Sequence, residues 1–236
     1  MWRLCALSKS SDRTRSACLA RLRAHAASMA AAAVFILQSL SSIPAGAQVS
    51  TPSIRELGPG YFVAGVPGDE FDYFAAPRVN GRQRQANWCW AATVQMVLNY
   101  HGLFVNQEQV VARIYGALVD RPAVPEQILD ALRGWAPDVR GRFSAISATP
   151  VVYSGSEIVG DLALRWPLIV GLAGQPVGHA YVLTAAYYRV DRFNQPVITH
   201  VVLRDPWPFS PSRQEVTWRE FRARLRFIAR VRVHRL

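Results

Sequence analysis

The stretch QRQANWCWAA, residues 83–92, decides how the rest of the chain is interpreted. It starts as a polar loop and becomes apolar at Trp88. From Cys89 to Tyr100 the residues are good helix formers with apolar positions spaced near 3.6, which predicts a helix ended by a left-handed Gly102. Cys89 is therefore expected in the first turn, where free backbone N–H groups and the helix dipole favour a reactive thiolate.

The cysteine count makes this thiol conspicuous. The chain has three cysteines, and Cys5 and Cys18 precede the expected mature protein. A single remaining thiol closes no internal disulfide and supplies no usual thiolate set for a metal. In an oxidising compartment such a thiol is a liability unless it has a chemical role. The alternative is an inert, buried cysteine. We expect neither a metal nor an organic cofactor.

The N-terminal 47 residues have the layout of a secretory signal peptide. A basic start precedes an apolar run over residues 26–40, a break follows, and Ala45-Gly46-Ala47 forms a small-x-small cleavage site. The run is shorter than the about 20 residues of a membrane span, although an uncleaved anchor is the alternative. We therefore predict residues 1–47 as a leader, 48–82 as an N-terminal extension and 83–236 as the functional domain. The mature protein is expected in the periplasm or outside the cell, with no stable membrane span.

Helix signals dominate the first half of that domain and strand signals the second. Asn106 caps a predicted helix, Pro125 opens another, and Ser154 with Glu157 forms a capping box for a fourth. Strands are predicted over residues 167–173, 178–188 and 197–203, with an alternating edge strand over 227–233. This order predicts an α+β fold in which an N-terminal helical half packs on a C-terminal antiparallel sheet.

A thiolate nucleophile needs a base, a group that orients the base and donors for the developing oxyanion. Among the histidines after the leader, His179 is the best base, because Gly178 before it permits close approach by another segment. Asp205, at the end of the next strand, can orient the imidazole if the two strands are antiparallel neighbours. An upstream amide, from Gln83 or Gln85, can join the backbone N–H groups in the oxyanion hole.

These segments together resemble the papain-like cysteine peptidases of bacteria, and in particular their AvrRpt2-like and C39-like branch. The resemblance rests on Gln83, the Asn-Trp-Cys-Trp-Ala-Ala segment around Cys89, Gly-His-Ala around His179, and Asp205-Pro206. It implies a papain-like fold for residues 83–236 and a Cys-His-Asp triad. It also implies that the oxyanion glutamine lies six residues before the nucleophile, which selects Gln83 over Gln85.

The chain is strongly basic, with a formal net charge of +11, and arginines are concentrated near its C-terminus. A basic face of this kind can meet an anionic lipid or polymer surface. The simpler interpretation is that the arginines line a solvated edge strand and prevent edge pairing. No nucleic-acid-binding motif accompanies the charge, so we expect no nucleic acid partner.

Three functions fit these observations. The first is an exported peptidase that hydrolyses peptide bonds in a peptide or protein substrate. The second keeps the same cysteine but changes the reaction to acyl transfer, deamidation or the hydrolysis of peptidoglycan-peptide amides. The third is a non-catalytic binding module that uses the basic face, in which Cys89 is only buried. Fold alone does not separate these functions.

Overall fold

The helices and strands are given by a computed structural model, which describes residues 53–66, 68–76, 81–151, 153–174 and 178–234. All of these residues fall within one compact unit, residues 50–236. In chain order the elements are β1 (Ile54–Gly58), β2 (Tyr61–Gly65), α1 (Gly68–Ala75), α2 (Cys89–Tyr100), α3 (Gln107–Tyr115), α4 (Pro125–Ala131), β3 (Ala145–Pro150), α5 (Gly155–Ala163), β4 (Leu168–Leu172), β5 (His179–Val190), β6 (Pro196–Arg204), β7 (Arg213–Thr217), α6 (Trp218–Arg224) and β8 (Leu225–His234).

The strands form one antiparallel sheet organised around β5. Among the described residues its main path runs β1-β2-β5-β4-β8-β3. One edge of β5 pairs first with β4 and then, further along, with β2. The opposite edge pairs with β6, which in turn pairs with β7. The long strand β5 therefore connects the part of the sheet that carries β4 and β8 to the part that carries β6 and β7.

Two apolar cores cover the two faces of the sheet. The first lies under α2, α3 and α4 and includes Trp90, Met96 and Val182. The second lies under α5 and α6 and includes Leu162, Leu183 and Phe221. Alternation along β5 explains this division, because neighbouring residues such as Val182 and Leu183 point to opposite faces of a strand. The helical half thus packs on an antiparallel sheet, which confirms the predicted α+β fold.

Local sequence signals placed several helices well. Helix α2 has the predicted bounds, and Gly102 beyond it has a φ of 80°. Asn106 caps α3 through a capping box with Gln109, and Ser154 does the same for α5 with Glu157. These ends are set by contacts within a few residues, which is why the sequence alone predicts them.

The predicted edge strand near the C-terminus is wrong in its position. Strand β8 alternates as expected but lies inside the sheet, with β4 on one side and β3 on the other. Its outer partner β3 was not predicted, because its sequence AISATP has little apolar alternation and ends in proline. The arginines of β8 therefore do not guard an open edge. Arg230, for example, donates to Asp161 at 2.6 Å.

The N-terminal part of the chain contributes to the sheet. Residues 54–65, which the sequence analysis assigns to an N-terminal extension, form β1 and β2, and β2 pairs with β5 through the register Ala64 to Ala186. Helix α1 follows and contributes the fully buried Phe71 to the first core. The predicted leader, residues 1–47, lies outside the described residues. No helix among those described is long and apolar enough to cross a membrane.

Candidate active site

Cys89 is the first residue of α2, at the edge of a cleft between the helices and the sheet. Trp88 is the N-cap residue and offers no side-chain cap. The N–H groups of the first turn are therefore available to a ligand at the positive end of the helix dipole. Cys89 is a free thiol and is only partly buried. Its position fits a reacting group better than an inert core cysteine.

The two tryptophans beside Cys89 anchor the start of the helix. The indole N–H of Trp88 donates to the carbonyl of Val119 at 2.8 Å, and that of Trp90 donates to the carbonyl of Arg121 at 3.0 Å. Both rings are almost fully buried in the first core. These two hydrogen bonds attach the segment after α3 to the start of α2 and so fix the position of Cys89. Their role in the fold is structural.

His179, the first residue of β5, lies between Cys89 and Asp205. Its Nε2 is 2.8 Å from Oδ1 of Asp205, and it lines the same cleft as Cys89. Because Nε2 faces the carboxylate, Nδ1 is the ring nitrogen left for the sulfur. Burial alone lowers the pKa of His179, but the hydrogen bonds with Asp205 and Cys89 and the charges of both groups raise the pKa to about 9. The imidazole is therefore mainly protonated at neutral pH.

Asp205 is held from several sides and is 3% exposed. Besides His179, its Oδ1 accepts the backbone N–H of Trp207 at 2.8 Å. Its Oδ2 accepts a hydrogen bond from Nε2 of Gln214 at 2.7 Å. Its own N–H donates to the carbonyl of Ser212 at 2.7 Å. These bonds compensate the burial of the carboxylate and fix its direction toward the imidazole.

Gln214 is a member of this network that the sequence analysis did not identify. It lies on β7, which pairs with β6 so that Gln214 is opposite Leu203. The pairing brings the amide to the carboxylate at the end of β6. No local signal marks Gln214 in the sequence, because the strand RQEVT resembles an exposed hairpin strand. Only the pairing of β6 with β7 gives this glutamine its place.

The loop before Cys89 is tied to the loop that follows Asp205. The N–H of Gln83 donates to the carbonyl of Pro206 at 2.8 Å. The Arg82 guanidinium donates to the carbonyls of Trp207 and Ser210. These bonds fasten the segment before Cys89 to the segment that carries Asp205.

A buried glutamine on α3 holds the same loop from the helical side. The side chain of Gln107 is fully buried and bridges two backbone groups. Its Nε2 donates to the carbonyl of Arg82 at 2.9 Å, and its Oε1 accepts from the N–H of Arg84 at 3.0 Å. The residue between them is Gln83. Its backbone is therefore fixed on both sides.

The two candidate oxyanion glutamines differ in their surroundings. Gln83 is 5% exposed, whereas the side chain of Gln85 is exposed. Nε2 of Gln83 donates to the carbonyls of Gln85 at 2.9 Å and Ala86 at 3.0 Å, so it already has acceptors. Its Oε1 is buried and has no hydrogen-bond partner among the described residues. The role of Gln83 in an oxyanion hole stays a prediction.

The cleft beside the thiol has a volume of about 390 Å³ and is mainly apolar. Its described lining comes from α2, from the segment before α4, from α4 itself, from β4, from β5 and from β8. These residues are Cys89, Trp90, Pro122, Ala123, Pro125, Ile128, Gly171, Leu172, Ala173, Gly174, Gly178, His179, Ala180, Arg226 and Phe227.

A larger cavity of about 450 Å³ lies elsewhere and contains none of the predicted site residues. It borders β2, β5 and β6 and includes the buried Arg204. That guanidinium already binds Asp72 and the carbonyl of Gly68. We therefore assign the reaction to the cleft that contains Cys89 and His179.

The other described histidines are away from the cleft. His101 follows the C-terminal end of α2, His200 lies on β6 opposite Thr217, and His234 ends β8. None lines the cleft beside Cys89. No group of three or more His, Cys, Asp or Glu side chains within the described ranges could hold a metal ion.

The family described as papain-like cysteine protease AvrRpt2 matches residues 75–226, more than half of the chain. The fold is similar to the peptidase domain of Streptococcus ComA, a bi-functional ABC transporter involved in a quorum sensing pathway. The identity is 14%, the coverage is 66% of this chain and 96% of that chain, and the TM-score is 0.47.

A second similar structure is a double glycine motif protease from an AMS/PCAT transporter, solved with its leader peptide. Its identity is 18%, its coverage 66% of this chain and 89% of that chain, and its TM-score 0.41. No curated protein matches the chain. The family match includes the nucleophile helix, β5 with its histidine, and the loop that carries the acid. The chain therefore belongs to the AvrRpt2 family of papain-like cysteine proteases and is a cysteine peptidase.

Proposed function

We propose that this protein is an exported peptidase that hydrolyses peptide bonds through a triad of Cys89, His179 and Asp205. The observation that carries the proposal is the position of His179, whose Nε2 is 2.8 Å from the Asp205 carboxylate and which lines the same cleft as Cys89. A nucleophile, its base and the group that orients the base form one connected unit. This is the arrangement that acyl transfer to a thiol requires.

In the proposed reaction the Cys89 sulfur attacks the carbonyl carbon of the scissile bond. His179 then gives its proton to the leaving amine, and an acyl-enzyme remains. A water molecule, deprotonated by the neutral imidazole, releases the acid product and restores the thiol. Asp205 stabilises the imidazolium and holds its ring direction throughout.

The developing oxyanion is proposed to bind at the start of α2. The backbone N–H of Cys89 and the positive end of the helix dipole face this position. Gln83 is proposed as the side-chain donor, since it is buried and fixed where the preceding loop meets the segment after Asp205. Its Nε2 donates to two carbonyls, so an oxyanion would have to replace one of these acceptors during the reaction.

We favour hydrolysis over the other reactions that share this thiol. Acyl transfer, deamidation and the cleavage of peptidoglycan-peptide amides use the same nucleophile and differ in the acceptor or the substrate. The family match favours peptide-bond hydrolysis. A purely binding role fits less well, because Cys89 lines the cleft and is bonded to a protonated imidazole.

Export is part of the proposal and is supported by the leader pattern of residues 1–47. Processing after Ala47 would give a mature chain that begins at Gln48. Sequencing the N-terminus of the protein recovered from the periplasm or the medium tests this step. Recovery from the cytoplasm alone, with the first residues intact, would contradict it.

The reaction is tested by a thiol-reactive probe followed by digestion of a peptide library. We expect the probe to label Cys89 rapidly at mildly acidic pH, and the unlabelled protein to cleave peptides. Cys89→Ala should show neither labelling nor cleavage while it keeps its circular dichroism spectrum. Labelling without any cleavage would favour the transferase or amidase reactions. Slow labelling, like that of an ordinary thiol, would favour the binding module.

A further inference from the structure

One side chain brings a permanent charge into the mainly apolar cleft beside Cys89. Of the described residues that line this cleft, Arg226 alone is an arginine, lysine, aspartate or glutamate. The side chain of Arg226 is exposed, whereas its neighbours on the wall include the apolar Leu172, Ile128 and Phe227. A substrate in the cleft therefore meets an apolar surface with one arginine at its border, in addition to the His179 imidazole.

A β-bulge puts Arg226 there. In the pairing of β4 with β8, Gly171 lies opposite Phe227 and Leu172 lies opposite Leu225. Arg226 is thus an extra residue on β8 with no partner in the register. Bulges redirect side chains and are common beside active sites. The bulge thus lies at the position where Arg226 lines the cleft, next to Phe227.

The guanidinium is held but not neutralised. Its Nη1 donates to the backbone carbonyls of Ala223 at 3.2 Å and Leu225 at 3.0 Å. No carboxylate among the described side chains lies within 4.0 Å of it. Other arginines nearby do have acidic partners, such as Arg224, which bonds Glu220 at 3.3 Å. Arg226 is therefore free to pair with a negative group from outside the chain.

We propose that Arg226 makes this peptidase prefer substrates with an aspartate or glutamate side chain next to an apolar residue near the scissile bond. The apolar residue would pack on the cleft wall at Phe227, and the carboxylate would pair with the guanidinium. This inference rests on the proposed peptidase function. Because ion pairs at an exposed border are weak, the expected preference is roughly fivefold in kcat/KM at low salt.

The test compares peptides that differ in charge but not in shape. A library would place Glu or Gln, and Asp or Asn, at each of the positions flanking the scissile bond, and kcat/KM would be measured for each pair. We expect one position to prefer the acid roughly fivefold. The preference should shrink in about 0.5 M salt, where charges are screened within a few Å.

Three variants connect this preference to Arg226. Arg226→Gln should abolish it, Arg226→Lys should keep most of it, and Arg226→Glu should favour lysine at the same position. Arg219→Gln is the matched control, because it removes the same charge from an exposed arginine on α6 that does not line the cleft. It should leave the preference unchanged.

The outcomes separate this inference from the function on which it rests. Peptide cleavage with no acid preference, or a preference that survives in Arg226→Gln, would overturn the role of Arg226 and leave the peptidase intact. Failure of the wild-type protein to cleave any peptide would overturn the proposed function and this inference with it.

Discussion

The two histidines near the ends of helix α2 differ in charge at neutral pH. The imidazole near the N-terminal end is protonated, and the one at the C-terminal end is neutral. At the N-terminal end, His179 lies between Cys89 and Asp205, and its pKa is raised to about 9. At the C-terminal end, His101 follows Tyr100, and burial lowers its pKa to about 4. Burial lowers the pKa at both ends. The difference lies in Cys89 and Asp205, the hydrogen-bonded and charged partners that raise the pKa of His179, whereas only burial acts on His101.

This comparison shows that burial of a titratable group is a weak sign of function. A cation near the C-terminal end of a helix is usually stabilised by the dipole. His101 nevertheless favours its neutral form, and its Nε2 has no hydrogen-bond partner among the described residues. His179 gains its charge because a thiol and a carboxylate converge on one ring. Cys89, His179 and Asp205 come from three separate parts of the chain. Their convergence distinguishes the N-terminal end of α2, where the reaction is proposed.

The largest expected effect comes from removing the imidazole at the reacting end. His179→Ala should lower kcat/KM by about a thousandfold or more, because members of one catalytic unit are not additive. His101→Phe is the control at the other end of the helix and should keep nearly full activity. Steady-state kinetics on a peptide cleaved by the wild-type protein measures both. Comparable losses in the two variants would break the distinction between the ends.

The next effect concerns the loop that precedes the same end of α2. Gln83→Ala should lower kcat by about a hundredfold, the usual cost of losing one oxyanion donor. Gln85→Ala provides the matched control, because its side chain is exposed and the same kind of amide is removed. If Gln85→Ala is the more damaging change, the assignment of the donor to Gln83 is wrong. Thermal unfolding of both variants checks that the loop stays folded.

A smaller effect is expected from removing the charge that raises the pKa of His179. Asp205→Asn keeps an oxygen for the imidazole and for the N–H of Trp207, and Gln214 can turn its amide to accept from the new NH₂. We expect a loss of roughly tenfold in kcat/KM at neutral pH, less than for Gln83→Ala.

The pH profile of Asp205→Asn separates charge from orientation. The imidazole of the wild-type protein loses its proton as the pH rises through about 9. Without the negative charge of Asp205 this alkaline limb should move to lower pH. Gln214→Leu keeps the charge of Asp205 and removes one hydrogen bond to its carboxylate. The alkaline limb of the pH profile should therefore move less in this variant than in Asp205→Asn. An unchanged limb in Asp205→Asn would mean that the carboxylate does not set the protonation of the imidazole.

The last expected effect concerns stability and not activity, and it lies at the opposite end of the helix. The folded-state pKa of His101, about 4, is below its ordinary value of 6.5. Between these two pH values the unfolded chain binds the proton more readily, so the folded state loses stability as the pH falls. The contribution reaches as much as about 3 kcal/mol by pH 4. His101→Phe removes the titration and can keep the edge-on contact with Tyr100.

Urea denaturation of the wild type and His101→Phe between pH 7 and 4 measures this contribution. The midpoint of the wild type should fall more steeply with acid than that of the variant. His179 acts in the opposite direction, since a raised pKa contributes stability below pH 6.5 that is lost as the pH rises through 9. If the urea midpoints of the two proteins fall equally with pH, His101 titrates normally in the folded state.

Short-range signals in the sequence predicted much of the fold. The bounds of α2 follow from apolar spacing and a left-handed Gly102, and the capping boxes at Asn106 and Ser154 follow from residues three apart. The sequence does not predict strands β1, β3 and β7, because they are largely exposed, with only Ala148 buried. Exposed strands have little apolar alternation, and the partner that makes them strands is far away in sequence.

By itself the sequence determined which residues can react: a thiol at a predicted helix start, a histidine after a glycine at a strand start, and an aspartate at the end of the next strand. Such signals are local, because caps, periodicity and turn residues act within a few positions. Only the tertiary structure decided that His179 contacts Asp205 and shares a cleft with Cys89, that Gln214 bonds the carboxylate and that Arg226 lines the cleft. These contacts depend on which strands pair and on a β-bulge, and both are determined by packing between residues that are far apart in sequence.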